Sequence, residues 1–512
     1  MSTVVDDIVE VVEPQFGVLS LSTISSAPIL LALDIGSSGV RAALFDEQGL
    51  EIDGASVRLG YGPTTFDFAT FDADTLLERV AQTIDELFAT FTSSSARIEL
   101  IAISCFWHSL VGVDAAGCAN TPVFGWADSR AAGEVHRLRS EFDETKTHAR
   151  TGCRFHQSYW PAKLRWLRAK QPRVFDSTKC WLSFADYLTL QFFGETATSV
   201  SMASGTGLLD QRTCAWDHEL LVAAQVSPES LPAIAGAGES FHSLTPAYGM
   251  RWPQLSDARL YPAIGDGAAN SIGSGCSTTE KVALMIGTSG AMRVCFSGDV
   301  PDRLPPELWC YRVDRDRVVV GGALSDGGGL YHVLKESLMP GQDSQEIEDE
   351  LSQLEPAAHG LTVLPFWAGE RSTGWNPYAR GVVLGLSLQT RPIEILRAAM
   401  EAIAYRFALI ARALDALAPA ATLVASGHAL RSSPTWTQIL ADVLGRRILL
   451  PAHSESSLRG AALLALEAAG KIQSIEDFIL PIDYACEPDL ARRSVYQQAL
   501  DRQEQIYRQL FS

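Results

Sequence analysis

Leu30 to Gly49, LLALDIGSSGVRAALFDEQG, joins two apolar runs through a turn of glycine, serine and one carboxylate. Leu30 to Leu33 is a short apolar run fit for a buried strand and Val40 to Phe45 is another, so Asp34-Ile35-Gly36-Ser37-Ser38-Gly39 must reverse the chain between them. Successive N–H groups of such a turn, with the Ser37 and Ser38 hydroxyls beside them, form a concavity that binds an anion such as phosphate. Asp34 is placed to hold a magnesium ion or one of its waters. Glycine and serine are also ordinary turn residues, so this stretch alone fits a plain hairpin loop equally well.

A second copy favours the phosphate reading. Ala283 to Phe296, ALMIGTSGAMRVCF, repeats Ala32 to Phe45, ALDIGSSGVRAALF, about 250 residues further on. Two strand-turn-strand units opening two halves of similar size predict a duplicated fold whose loops face each other across a cleft and grip one polyphosphate. That arrangement resembles the actin, hexokinase and Hsp70 superfamily. Neither loop leads into a helix carrying Gly-Lys-Ser/Thr, and neither has the strand-GxGxxG-helix order, so P-loop and dinucleotide-binding folds are excluded.

At 512 residues the chain exceeds what one hydrophobic core usually serves. Its 47% apolar and 20% charged content is that of a globular protein. A formal net charge of −19, from 41 basic and 60 acidic side chains, repels phosphate backbones and anionic lipid. No local basic patch offsets it, so neither nucleic acid nor membrane is an expected partner. The nine cysteines (105, 118, 153, 180, 214, 276, 295, 310, 486) are scattered, odd in number and never spaced C-x-x-C, as in reduced cytosolic proteins. Residues 1–27 carry acids and no Lys or Arg, unlike a signal or transit peptide, and form an expected frayed or strand-like extension. No apolar run reaches the roughly 20 residues of a bilayer span. A cytoplasmic location follows as the expectation, and a homodimer is compatible with it.

Along the first half, Glu51 to Arg58 is an expected strand and Asp74 to Phe91 has the apolar spacing of a crossover helix. Leu100 to Cys105 is a strand delivering Phe106-Trp107-His108-Ser109, and open α/β sheets bind ligands at strand carboxyl ends. Trp126, Asp128 and Arg130 alternate as a polyol site would want, with an apolar wall, an acceptor and a donor; a core Trp beside a local Asp128–Arg130 ion pair fits the pattern as well. In TGCRFHQSYWPAKLRW, His156, Tyr159 and Lys163 stand near a helix start at Pro161. Ile264-Gly265-Asp266-Gly267 places a carboxylate between two glycines before a small-residue helix from Ala268 to Gly275. That suits a general base for phosphoryl transfer to an alcohol, whereas locally it also fits an Asp-Gly turn.

In the second half, VVVGGALSDGGG (Val318 to Gly329) runs from a strand into glycine-rich turns, and Gly369-Glu370-Arg371 lies in a loop after another strand. Ile393 to Leu417 is a long amphipathic helix. Ser426-Gly427-His428 ends a strand, and Ser433-Pro434 is an N-cap and N1 pair for the next helix. A glycine turn meeting a helix start admits adenine or its phosphates closely. Ser457 to Ala469 is a small-residue helix expected beside the nucleotide.

Assembled in order from Leu30 to Gly470, these stretches resemble the FGGY family of carbohydrate kinases. DIGSSGVRAALFD is similar to its first phosphate motif, GDGAANSIGSG to the segment with its catalytic Asp, IGTSGAMRV to its second phosphate motif and SGHALRSSPTWTQILADVLG to its adenosine motif. Within the family, FWHSLVGVD, GWADSR, FHQSYWPAKLRWL, MASGTGLLD and FWAGERSTGWN resemble gluconokinases. The adenosine motif commonly shows Gly-Gly, where Gly427 is followed here by His428.

The resemblance implies an α/β fold of two actin-like (ribonuclease H-like) domains flanking a catalytic cleft. The expected domains are 28–275, with the sugar site and catalytic Asp, and 276–512, with the adenosine site. It implies ATP and Mg²⁺ as cosubstrate and ion, with D-gluconate converted to 6-phosphogluconate. Asp266 is then the general base, with Asp34 and Asp266 at the metal. Asp34, Gly36, Ser37, Ser38, Arg41, Gly287, Thr288, Ser289, Gly427, His428 and Ser433 face the nucleotide. His108, Asp128, Arg130, His156 and Lys163 face the sugar. The rivals are a kinase for xylulose, ribulose or glycerol, and a non-catalytic ATP-binding sensor of the same fold.

Overall fold

The computed structural model describes residues 29–61, 70–91, 97–236, 238–452 and 455–511, so the expected extension, 1–27, lies outside the described residues. β1 (Leu30–Ile35) and β2 (Gly39–Phe45) pair antiparallel, and β3 (Glu51–Gly60) continues the meander. The helix α1 (Ala73–Thr90) starts on an Asp72 side chain that accepts the Thr75 N–H. It returns the chain to β4 (Leu100–Cys105), parallel to β1. Both β1 and β4 are buried at every position, as continuous apolar runs covered on two faces should be. β5 (Arg259–Leu260) and β6 (Ile264–Gly265) extend the far edge in the order β5-β4-β1-β2-β3, with β6 also on β4.

The second half repeats this plan. β7 (Lys281–Ile286) and β8 (Gly290–Ser297) form the second hairpin, followed by β9 (Trp309–Arg312) and β10 (Arg317–Leu324). β11 (Thr422–Ser426) lies parallel to β7 as β4 does to β1, and β12 (Ile448–Pro451) and β13 (Ile482–Cys486) complete the order β9-β10-β8-β7-β11-β12-β13. The expected α/β class with two actin-like sheets is thus present. No helix among the described residues is long and apolar enough to cross a membrane.

α2 (Trp160–Lys170) belongs to the first half, and α3 (Asp266–Gly273) leaves β6 directly. The second half adds α4 (Gly328–Leu338), α5 (Pro392–Leu414), α6 (Pro434–Leu444) and α7 (Ser456–Ala468). α7 crosses α3 so closely that a Cβ on Gly460 would stand 1.8 Å from the Ala269 carbonyl oxygen, and one on Gly273 1.8 Å from that of Ser456. Its Leu458, Ala461, Ala462, Ala465 and Leu466 cover Leu30, Ala32, Phe45 and Leu100 on the first sheet. The small-residue helix expected beside the nucleotide therefore spends its small side chains on close packing with α3 and with the other half's sheet. The expected border at Gly275–Cys276 falls just after α3, but α7 crosses back over it.

Candidate active site

Asp266 is the first residue of α3, two residues earlier than the sequence pattern places that helix. Its flanking glycines have a steric cause: the Trp107 indole lies across both. A Cβ on Gly265 would stand 1.8 Å from Trp107 Cε2, and one on Gly267 2.6 Å from its Cζ3 and 2.9 Å from Arg293 Nε. The carboxylate is half-buried, and its Oδ1 accepts the Gly267 N–H at 2.8 Å. Burial pushes its pKa up to about 6; Arg293 opposes that shift and Asp34 adds to it. Each hairpin thus sends one charged side chain towards Asp266.

The hairpins differ in register. Ile35 pairs with Val40 around four residues, whereas Ile286 pairs with Gly290 around three. A one-residue slip exchanges strand faces. In the first hairpin Arg41 stands opposite Asp34, and its Nη1 donates to Asp34 Oδ2 at 2.8 Å. The Ser104 hydroxyl donates to Asp34 Oδ1 at 2.7 Å, so the carboxylate is fixed within β1 rather than carried in the turn. In the second hairpin the slip puts Arg293, rather than the motif-aligned Met292, on the face towards α3.

The second loop meets the start of α4. Gly328 N–H donates to the Gly287 carbonyl at 2.7 Å and Gly329 N–H to that of Thr288 at 3.0 Å. Gly427, at φ +96°, ends β11 where a Cβ would stand 2.3 Å from the Ile286 oxygen, so only glycine fits there. The Thr288 tip and His428 are exposed beside this convergence. The Ser426 hydroxyl donates to Asn270 Oδ1 at 3.2 Å, tying β11 to α3. Ser433 is committed elsewhere: it accepts the Trp436 N–H as N-cap and donates to Glu348, which also accepts the Thr435 N–H.

The sugar-side expectations divide. His108 sits past the end of β4 at φ +68°, its Nδ1 against the Gly205 carbonyl and its ring edge-on to Tyr159 and Tyr311. Burial holds its pKa down at about 3, and it does the same to His156, so both imidazoles are neutral hydrogen-bonding groups. His156 uses Nδ1 on Ser158 and Nε2 on the Glu370 carbonyl at 3.1 Å. Lys163, expected at the substrate, is buried in α2, where Nζ donates to the carbonyls of His108, Phe124 and Gly125 at 2.7, 3.3 and 2.9 Å. Three N–H groups with three acceptors leave none for a ligand. Asp128 and Arg130 form the local ion pair, with Nη2 to Oδ2 at 2.6 Å and the guanidinium over the Trp166 ring. Of these five residues, His108 follows the strand that pairs with β6, the strand leading into Asp266.

Residues 29–270 match the N-terminal domain of the FGGY family of carbohydrate kinases, and residues 282–469 match its C-terminal domain. The chain belongs to that family. This carbohydrate kinase is 27% identical over 461 residues to a gluconokinase of Bacillus subtilis (strain 168), covering 87% of this chain and 89% of that one. It is 26% identical to a xylulose kinase of Escherichia coli (strain K12), covering 94% and 99%. A crystal structure of gluconate kinase from Lactobacillus acidophilus superposes with a TM-score of 0.84 at 26% identity, over 94% of this chain and 98% of that one.

Three side chains of the kinase's cleft escape a sequence reading. Arg293 lies inside the second phosphate motif, but its direction depends on the three-residue turn. Arg371 and Asp326 lie in stretches notable for glycine, and only the fold brings them together. Asp326 accepts the Ala368 N–H at 3.0 Å and so joins the start of α4 to the 366–371 loop; burial raises its pKa to about 7.

Proposed function

We propose that this kinase transfers the γ-phosphoryl group of ATP to the terminal hydroxyl of a sugar acid, with D-gluconate as substrate. The observation that carries the chemistry is Asp266, a half-buried carboxylate approached by Asp34 from one hairpin and by Arg293 from the other. The hydroxyl oxygen attacks the γ-phosphorus, the bond to the β–γ bridging oxygen breaks, ADP leaves, and Asp266 accepts the hydroxyl proton. The Gly36 to Ser38 and Gly287 to Ser289 turns line the phosphates, and Gly427 and His428 border the base. Among the described residues no three His, Cys, Asp or Glu side chains gather as a metal cage. Asp34 and Asp266, a pair of carboxylates, fit magnesium, which takes one or two protein carboxylates and completes its shell with water and phosphate oxygens. When bound, it neutralises charge on the β- and γ-phosphates.

The sugar-acid reading is supported by the stretches that resemble gluconokinases and by the similarity to proteins of that name. A similar identity to a xylulose kinase supports a pentulose as the second reading. ATP consumption measured across gluconate, other aldonates, xylulose, ribulose and glycerol separates them. Gluconate is expected to show the highest kcat/KM; a higher value on a pentulose sinks the substrate assignment and leaves the kinase standing.

The raised pKa of Asp266 predicts the acid limb of the pH profile. Its carboxyl is protonated below about pH 6 and then has no lone pair for the hydroxyl proton. In the enzyme saturated with ATP, kcat/KM for the sugar is expected to fall about tenfold per unit below that pH. A profile flat to pH 4.5 is the opposing result.

A further inference from the structure

Two guanidinium groups stand in the cleft without an ion pair. Arg293 is 6% exposed, and its Nε and Nη1 have no hydrogen-bond partner. Arg371 donates from Nη2 to the Leu324 carbonyl at 3.0 Å, while its Nε is buried without a partner. Among the described residues no carboxylate makes a contact ion pair with either, although Asp266 interacts at longer range with both and Asp326 with Arg371. A buried cation left unpaired costs several kcal/mol, so a site that keeps two of them is built for anionic oxygens.

Their places differ. Arg293 abuts Gly267, next to Asp266, at the end where the phosphoryl group moves. Arg371 has its guanidinium 4.6 Å over the Trp126 ring, a contact Arg293 does not make. Its charge reaches His108, His156, Tyr159 and Tyr311 on one side and Asp266, Arg293 and Asp326 on the other, so it sits between the phosphoryl end and the sugar pocket. The residue before it, Glu370, accepts from His156, so this second-half loop is pinned to the first half beside that pocket. Stacking on Trp126 covers the guanidinium plane and leaves the in-plane N–H donors not used on Leu324, Nε among them, for a ligand.

We propose that Arg371, stacked on Trp126, binds the carboxylate of the sugar acid and thereby sets the preference for an acid over a neutral polyol. This rests on the sugar-acid reading above, and it replaces Arg130, Lys163 and His156, whose polar atoms are engaged within the protein. An arginine suits the task, because a carboxylate accepts two parallel N–H bonds from one guanidinium.

The test compares wild type, Arg371→Gln and Arg371→Lys on gluconate and on glucitol, which has a hydroxymethyl group in place of the carboxylate. A charge-assisted hydrogen bond contributes about 1.5–3 kcal/mol, so kcat/KM of Arg371→Gln for gluconate should fall roughly 10- to 150-fold. Its value for glucitol should change less than about twofold, KM for ATP should hold, and Arg371→Lys should recover part of the loss. Equal losses on both substrates, or no loss on gluconate, overturn the role of Arg371 while the wild-type preference for aldonates stands. If wild type itself prefers a neutral sugar, the sugar-acid reading falls and this inference with it. Should the Gln variant not fold, Arg371→Lys decides: it keeps the charge but loses the paired geometry, so gluconate turnover must fall selectively, and an unselective change overturns the proposal.

Discussion

Asp266→Asn is expected to lower kcat by roughly 10² or more while ATP still binds with near-normal affinity. The amide has nearly the shape of the carboxylate, and its oxygen is able to accept the Gly267 N–H that the carboxylate accepts now. What it lacks is the basic lone pair. The two glycines and Trp107 remain in place, so the geometry of the cleft is preserved and the loss is confined to the proton transfer. Steady-state kinetics with calorimetric titration of ATP checks this. Near-normal turnover removes Asp266 from the role of base, whereas lost ATP affinity assigns it to the metal and phosphates.

Gly460→Ala is expected to destabilise the fold strongly. The added carbon would stand 1.8 Å from the Ala269 carbonyl oxygen and 2.9 Å from the Gly273 amide nitrogen, both of them backbone atoms of α3. Neither moves unless the helices part. Alanine gains up to about 1 kcal/mol in helix propensity, but overpacking costs about 1–3 kcal/mol and more where only backbone is available to shift. Because α3 begins at Asp266, parting α3 from α7 also displaces the carboxylate. A lowered denaturation midpoint together with a lowered kcat is the expected pair of results. An unchanged midpoint would mean that the crossing is looser than this geometry.

The duplicated hairpin is legible because it is local: strand, glycine turn and strand lie within 16 residues of Leu30 to Phe45, and the second copy repeats the letters. Asp266 is legible for a related reason, since the two glycines that make room for Trp107 are its neighbours in sequence. Direction is what the letters do not carry. Lys163 and Arg371 are both basic residues near aromatics, yet three backbone carbonyls close around the first, whereas the second has one carbonyl and keeps its Nε without a partner. That difference is made by chain segments 38 to 55 residues from Lys163 and by the loop geometry around Arg371. Likewise Arg293 takes its facing from a turn one residue shorter than its counterpart, which alignment of the two motifs hides.

The helix α7 carries a consequence for synthesis of the chain. It supplies the cover for Leu30, Ala32, Phe45 and Leu100, but it is encoded almost at the far end of the sequence. At translation rates of about 5–20 residues per second, the first sheet therefore stands with one apolar face bare for roughly 10 to 40 seconds after its own last strand has been made. The nascent first half is in effect a chaperone client by construction, and chains stalled before Ser456 are expected to bind a hydrophobic-surface dye that released full-length chains exclude.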